Sequence, residues 1–295
     1  MSSGILVVDK PSGWTSHQVV GRCRRLLGTR RVGHAGTLDP MATGVLVIGV
    51  ERGTRLLGHL ALTSKTYLAT IRLGQATNTD DADGEVLTSP GAAGLTDAAI
   101  AAAIAPLRGD IVQVPSTVSA IKINGQRAYA RARRGEQVEL TPRPVTVSRF
   151  DVLSRRNTEV DGLALVDLDV HVDSSSGTYI RALARDLGAA LGSGGHLTAL
   201  RRTRVGGFTL DRALSPDDLT AEPPRAPELV PLGIVARAHF PCLELDGDQA
   251  RAVGFGRALD VRLPAEPTAL LHDGQLLALY RPDGERAVPL AVLVG

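Results

Sequence analysis

The stretch RRVGHAGTLDPMATGVLVIGV, residues 30–50, sets Gly33, His34, Gly36, Asp39 and Pro40 within eight positions, ahead of an apolar, largely β-branched run. Pro40 restricts Asp39 to an extended backbone and so narrows where its carboxylate can point. Gly33 and Gly36 allow backbone or substrate to approach closely. An ionised carboxylate held in this way can act as a nucleophile or take a proton. His34 adds a flat, polar, stackable ring five residues upstream. Taken singly, Asp-Pro reads as a turn and a lone histidine as a surface or core residue. Their grouping points to a site.

The surrounding pattern supplies the elements that must position these residues. GILVVDKPSGW reads as a short strand ending in a turn. TSHQVVGRCRRLLG reads as a helix, with Thr15 or Ser16 to cap it, an apolar stripe of Val19, Val20, Cys23, Leu26 and Leu27, and Gly28 to end it. A buried strand is expected from about Thr43 to Val50. KTYLATIRLG places Tyr67, Ala69, Ile71 and Leu73 on one face of another strand. LTDAAIAAAIAPLRG reads as a helix capped by Thr96. NGQRAYARARRGEQVEL reads as a basic helical turn leading into an extended arm. PVTVSRFDVLS and LALVDLDVHVDSS alternate as strands. A helix starts near Thr178, and LTALRRTRVGGFTL reads as a strand. After Leu214 the chain turns Pro-rich and acidic, a plausible hinge, and then becomes a series of short strands that predicts a small all-β module. Strands in consecutive runs with irregular helices predict an α+β fold with a mixed, mostly antiparallel sheet.

The 295 residues suit one large domain and one small one, and 43% hydrophobic with 22% charged residues is the balance of a soluble globular protein. No apolar run approaches the ~20 residues of a membrane span. The N-terminus does not read as a signal peptide. Two distant cysteines, Cys23 and Cys242, form neither a disulfide framework nor a zinc site, and a reducing cytoplasm is the simplest setting. Net charge is only +2, but residues 215–295 carry 7 Lys and Arg against 12 Asp and Glu. The basic excess is steepest in 119–149, where seven cations face only Glu136 and Glu139. Such a patch is the usual footprint of nucleic acid, although a solvated face gives the same pattern. There is no phosphate-binding glycine motif and no histidine pair at metal-ligand spacing. Within NTDDADGEV, a calcium loop with Gly84 as its sixth residue would begin at Thr79 and end at Pro90, and neither chelates as required.

GHAGTLDPMATGVL closely resembles the catalytic motif of the TruB family of tRNA pseudouridine-55 synthases. VDKPSGWTSH, KTYLATIRLG, DADGEV, QVPSTVSAIKINGQRAYARARRGE, SSSGTYIRALARDLG and LTALRRTRVGGF recur in the family's order, over roughly residues 4 to 212. The SSS before GTYIR departs from many relatives. The resemblance implies a pseudouridine-synthase catalytic domain over 1–214 with a basic arm about 119–149, a linker over 215–233, and a PUA-like RNA-binding domain over 234–295. It implies isomerisation of uridine 55 in the tRNA T loop, with the base flipped out of the stack. No cofactor or metal is needed. By the same resemblance Asp39 acts at C1′, Arg181 pairs with it, and Tyr67 stacks on the uracil. Tyr179 and Leu200 contact the base, His34 fills the vacated space, and Lys10, Lys122, Arg127 and Arg131 contact RNA. On pattern alone Tyr67 and Leu200 are core residues and Arg181 a helix-surface cation. The expected partner is the tRNA T-stem loop, bound by a cytoplasmic monomer with no obligatory protein partner. The alternatives are an RNA-folding factor with dispensable catalysis, or a synthase that works with a guide RNA and partner proteins.

Overall fold

The apolar run that follows Asp39 is long because its strand is covered on both faces. In the computed structural model, which describes residues 2–116, 141–223 and 226–294 and the backbone of 122–123 and 126–127, Thr43–Val50 forms a strand with seven of its eight residues buried. Val45 and Val47 point into one apolar cluster, Leu46, Ile48 and Val50 into another. Burial on both faces removes the usual polar alternation.

In chain order the main elements are β1 (Gly4–Lys10), α1 (Ser16–Leu27), β2 (Val32–Ala35), β3 (Thr43–Val50), β4 (Lys65–Leu73), β5 (Ala76–Thr77), β6 (Val86–Thr88), α2 (Asp97–Ile104), β7 (Gly109–Gln113), β8 (Lys122–Ile123), β9 (Gln126–Arg127), β10 (Arg143–Val160), β11 (Leu163–Ser174), α3 (Ile180–Ala190) and β12 (Gly195–Val205). There follow β13 (Phe208–Thr209), β14 (Val230–Pro231), α4 (Leu232–His239), β15 (Cys242–Glu244), α5 (Gly247–Gly254), β16 (Thr268–His272), β17 (Gln275–Asp283) and β18 (Arg286–Val292). The chain gathers into two units, one of residues 1–38, 44–62 and 205–295, the other of 39–43 and 63–204. The fold is α+β, built largely on antiparallel pairings.

In the first unit, β1 pairs antiparallel with β3, and β2 with β3. Helix α1 covers one face through Val19, Val20, Cys23 and Leu26. Burying each such aliphatic side chain is worth about 1.5–3 kcal/mol. Thr15, not Ser16, caps this helix, through a reciprocal capping box with Gln18. Gly28 ends it in the left-handed conformation at φ 63°. The opposite face meets Val235, Ala236, Ala269, Leu271 and Leu279 of the C-terminal segment. That segment is not all-β. Its strands run β15-β16-β17-β18, but α4 and α5 accompany them. The DGDQ that reads as a turn is a helix start, with Asp246 and Gln249 forming a capping box. The Pro-rich stretch is tied down as well. Arg22 donates to the carbonyls of Leu219 and Ala221 at 2.7 and 2.9 Å, and β14 pairs with β1.

In the second unit the order is β12-β4-β11-β10-β7. β4 lies antiparallel to β11, with Tyr67 opposite Val172. Tyr67, Ala69, Ile71 and Leu73 are all buried, as the alternation predicts. β10 and β11 form a hairpin closed by Asp161 and Gly162, both at positive φ. Within the expected basic arm, β8 and β9 pair antiparallel. The helical turn expected there does not include Gln126–Arg127, which are strand. Arg131 and the rest of the expected arm up to Leu140 lie outside the described residues. Among the described residues no helix is long and apolar enough to cross a membrane.

Candidate active site

The loop that bears Asp39 is anchored at both ends. Ahead of it, the Ser16 hydroxyl accepts from the Leu38 amide at 3.0 Å and donates to the Leu38 carbonyl at 3.2 Å. Ser16 is 1% exposed, so these bonds are made away from water. Gly36 at φ 71° lets the chain turn into the loop. The Ala42 amide donates to the Asp39 carbonyl at 3.1 Å, closing a turn with Pro40 in the position that its fixed φ suits. Beyond it, Arg201 of β12 donates to the Thr43 hydroxyl at 3.2 Å.

Arg181 meets Asp39 with a two-point fork. Its Nε lies 3.0 Å from Oδ2 and its Nη2 donates to Oδ1 at 3.1 Å. This bidentate geometry fixes the plane of the carboxylate as well as its position. Arg181 is the second residue of α3 and only 4% exposed, whereas the Asp39 side chain is 36% exposed. The pair thus presents a reachable carboxylate on a buried guanidinium. The remaining nitrogen, Nη1, donates to the Thr79 carbonyl at 2.8 Å and lies 3.3 Å from Asp81 Oδ2. Asp81 in turn accepts from the Thr79 hydroxyl at 2.5 Å and from the Asp83 amide at 3.2 Å. The polar turn NTDDADGEV is therefore the brace behind Arg181.

The start of α3 lacks a side-chain cap of its own at Tyr179. Gln113, at the end of β7 and 2% exposed, instead holds the backbone of Tyr179 itself. Its Oε1 accepts from the Tyr179 amide at 2.7 Å and its Nε2 donates to the Tyr179 carbonyl at 2.9 Å. Gly188 lets α3 lie against the following turn, since a Cβ there would fall 2.2 Å from the Gly194 carbonyl carbon. Asp80 sits at φ 59°, and burial pushes its carboxyl above the usual range, against the Ser116 hydroxyl and the charges of Arg185 and Arg181.

Asp39, Tyr67, Tyr179, Arg181 and Leu200 all belong to the second unit, where Arg181 pairs with Asp39. Tyr67 is 6% and Leu200 8% exposed, on adjacent strands β4 and β12, and Tyr179 is half-buried. His34 lies on β2 of the first unit, edge-on to His17 at 5.4 Å. Lys10 corrects the expectation of an RNA contact. It is fully buried, and its ammonium donates to the Pro11 and Trp14 carbonyls at 2.9 and 2.6 Å, because a cation out of water needs acceptors. Lys122 and Arg127 are paired backbone positions of β8 and β9. Sequence reasoning missed Asp81, Thr79 and Gln113. The available signal was two adjacent acids, Asp80 and Asp81, matched by arginines at 181 and 185, one helical turn apart. Among the described residues no three His, Cys, Asp or Glu side chains gather as metal ligands would.

The scaffold has solved counterparts. A Cbf5 chain from a Cbf5–Nop10–Gar1 complex is 25% identical with a TM-score of 0.71, over 99% of this chain and 85% of that one. A second, from an H/ACA ribonucleoprotein bound to a substrate RNA containing 2′-deoxyuridine, is 24% identical with a TM-score of 0.69 and the same coverage. The fold is that of the pseudouridine synthases. Residues 24–180 match the model of the TruB family pseudouridylate synthase N-terminal domain, 181–225 that of the tRNA pseudouridylate synthase B C-terminal domain, and 240–294 that of the tRNA pseudouridine synthase II C terminus. The chain belongs to the TruB family. Among its relatives, tRNA pseudouridine synthase B of Nocardia farcinica is 61% identical over 98% of this chain and 93% of that protein. The protein of the same name from Arthrobacter sp. is 55% identical over 99% and 97%.

Proposed function

We infer that the protein is a tRNA pseudouridine synthase that isomerises uridine 55 of the T loop. The observation that carries this reading is the Asp39 carboxylate held bidentately by Arg181, in a chain whose relatives are named tRNA pseudouridine synthase B. The reaction breaks the N1–C1′ bond, turns the freed uracil and forms a C5–C1′ bond. Atoms and electrons balance within the substrate, so no redox partner or energy source is called for. The target base must leave the stack, at a cost of a few kcal/mol, to reach a carboxylate set in a loop.

Within this reading Asp39 acts at C1′, and Arg181 orients it and balances its charge. Tyr67, Tyr179 and Leu200 supply apolar and stacking surface for the uracil. His34 fills the space that the flipped base vacates in the tRNA. Lys122, Arg127 and Arg131 contact tRNA phosphates, and Lys10 holds the turn after β1. The division into a catalytic part over 1–214, a linker over 215–233 and a PUA-like part over 234–295 belongs to the same proposal, as do a monomeric state and the cytoplasm as the site of action.

The test is tritium release from an unmodified tRNA transcript carrying 5-tritiated uridine. Forming the C5 bond expels that hydrogen. The wild type should release about one tritium per tRNA, and Asp39→Asn none, with tRNA affinity within about tenfold because phosphate and shape contacts carry most of it. Comparable turnover by Asp39→Asn would sink the catalytic assignment. Tight tRNA binding by the wild type without release would favour an RNA-folding factor.

A further inference from the structure

Arg181 is not the only arginine on its face of α3. Arg185 follows one turn later, on the same side of the helix. Its Nη1 lies 3.3 Å from Asp80 Oδ2, and its Nη2 donates to the Val114 carbonyl at 2.8 Å. Its Nε donates to Asp186 Oδ1 at 2.9 Å, and Nη2 also lies 2.8 Å from that oxygen. Every nitrogen of the guanidinium is engaged within the chain.

The two acceptors sit at informative places. Val114 follows Gln113, whose amide grips the Tyr179 backbone, and Pro115 and Ser116 after it are buried. This is the segment from which the basic stretch 119–149 departs. Asp80 precedes Asp81, which braces Arg181. Its own carbonyl accepts from the Leu197 amide at 3.0 Å, and its amide donates to the Thr77 carbonyl at 3.3 Å. The backbone of Asp80 is thus fixed, and its side chain is the movable part.

We propose that Arg185 is a positioning residue for the isomerisation, bolting the segment at Val114 to the Asp80–Asp81 turn and so fixing where Arg181 holds Asp39. The proposal rests on the synthase reading above. An ion pair of this kind is a weak source of stability, because the attraction must first overcome the desolvation of both partners. Its orientation is what matters. Freed of Arg185, the Asp80 carboxylate keeps the Ser116 hydroxyl but loses the cation that ties it to α3, and Asp81 and Arg181 lose a neighbour that limits their drift. A displacement of about 1 Å at reacting groups can change a rate by one to two orders of magnitude.

The experiment compares wild type, Arg185→Gln, Arg185→Lys, Asp80→Asn and the Asp80→Asn/Arg185→Gln double variant. Single-turnover tritium release is followed with enzyme saturating over tRNA, well below each melting temperature. Filter binding gives the tRNA Kd, and a circular dichroism melt checks folding. Arg185→Gln should slow release about tenfold with Kd within about threefold, a loss confined to the chemical step. Arg185→Lys keeps the charge and should recover part of the rate. Asp80→Asn should slow release to a similar degree, and the double variant should be no slower than either single one, because all three undo the same contact. Additive losses in the double variant would overturn the proposal. A wild-type rate in Arg185→Gln would overturn the proposal, as would a lower melting temperature with an unchanged rate. A loss appearing only in Kd would mean that Arg185 touches RNA instead, and would also overturn it. If the wild type itself releases no tritium, the synthase reading falls and this proposal with it.

Discussion

Arg181 serves two carboxylates at once, and that sharing sets what substitutions should do. Replacing Asp81 by Asn leaves the guanidinium its fork to Asp39 but removes the negative charge 3.3 Å behind it. The expected result is a single-turnover rate lowered by about one to two orders of magnitude, with tRNA affinity little changed. A rate within twofold of wild type would show that the Thr79 carbonyl alone suffices to hold Arg181. The pairing of Asp39 with Arg181 was legible in the sequence because GHAGTLDP and GTYIR carry their resemblance in contiguous residues. Asp81 was not, although DADGEV was noticed. Its role is a contact between residues a hundred positions apart, and no local periodicity encodes that. Lys10 erred the other way. A lysine before a Pro-Ser-Gly turn looks exposed until the turn's own carbonyls are seen to fold over it.

At the scale of elements, β7 and α3 are joined by one side chain. Gln113 gives Tyr179 both an acceptor and a donor inside the protein. Gln113→Ala should cost about 1–3 kcal/mol, the usual cost when a buried group loses its partner. Gln113→Glu should be worse at neutral pH, since a carboxylate cannot donate to the Tyr179 carbonyl. Urea midpoints for the three proteins check this, and a glutamate variant as stable as wild type would refute it. Helix α1 offers a second check. Cys23 is fully buried in its apolar stripe, and burial pushes its thiol up to about 12. At pH 8 it should resist a thiol reagent until the protein unfolds, whereas half-buried Cys242 should react earlier. Rapid native labelling of Cys23 would mean that α1 opens. Strand and helix types were mostly read correctly, because β4 and α1 announce their periods of two and 3.6. The helix at Asp246 was lost for a physical reason: Asp-Gly-Asp-Gln is at once good turn chemistry and a good helix cap.

At the scale of the molecule, charge is unevenly distributed. Residues 215–295 hold a net −5, so tRNA affinity should come from elsewhere, chiefly from the cations of 119–149. Arg127→Ala with Arg131→Ala should weaken tRNA binding and flatten its dependence on salt by about one to two counterions, without altering the rate at saturation. Titrations at several salt concentrations measure this, and an unchanged slope would remove both residues from the interface. The pairing of β1 bears on something else, the making of the chain. β1 is flanked by β3 and by β14, and Leu214 bonds to its Val7 and Asp9. At synthesis rates of about 5–20 residues per second, β1 waits on the order of ten to forty seconds for residue 230 to be made. Residues 63–204 form an uninterrupted run and can organise during that delay. β1 is therefore made well before it is enclosed, and a nascent chain stalled before β14 exposes part of one edge of it.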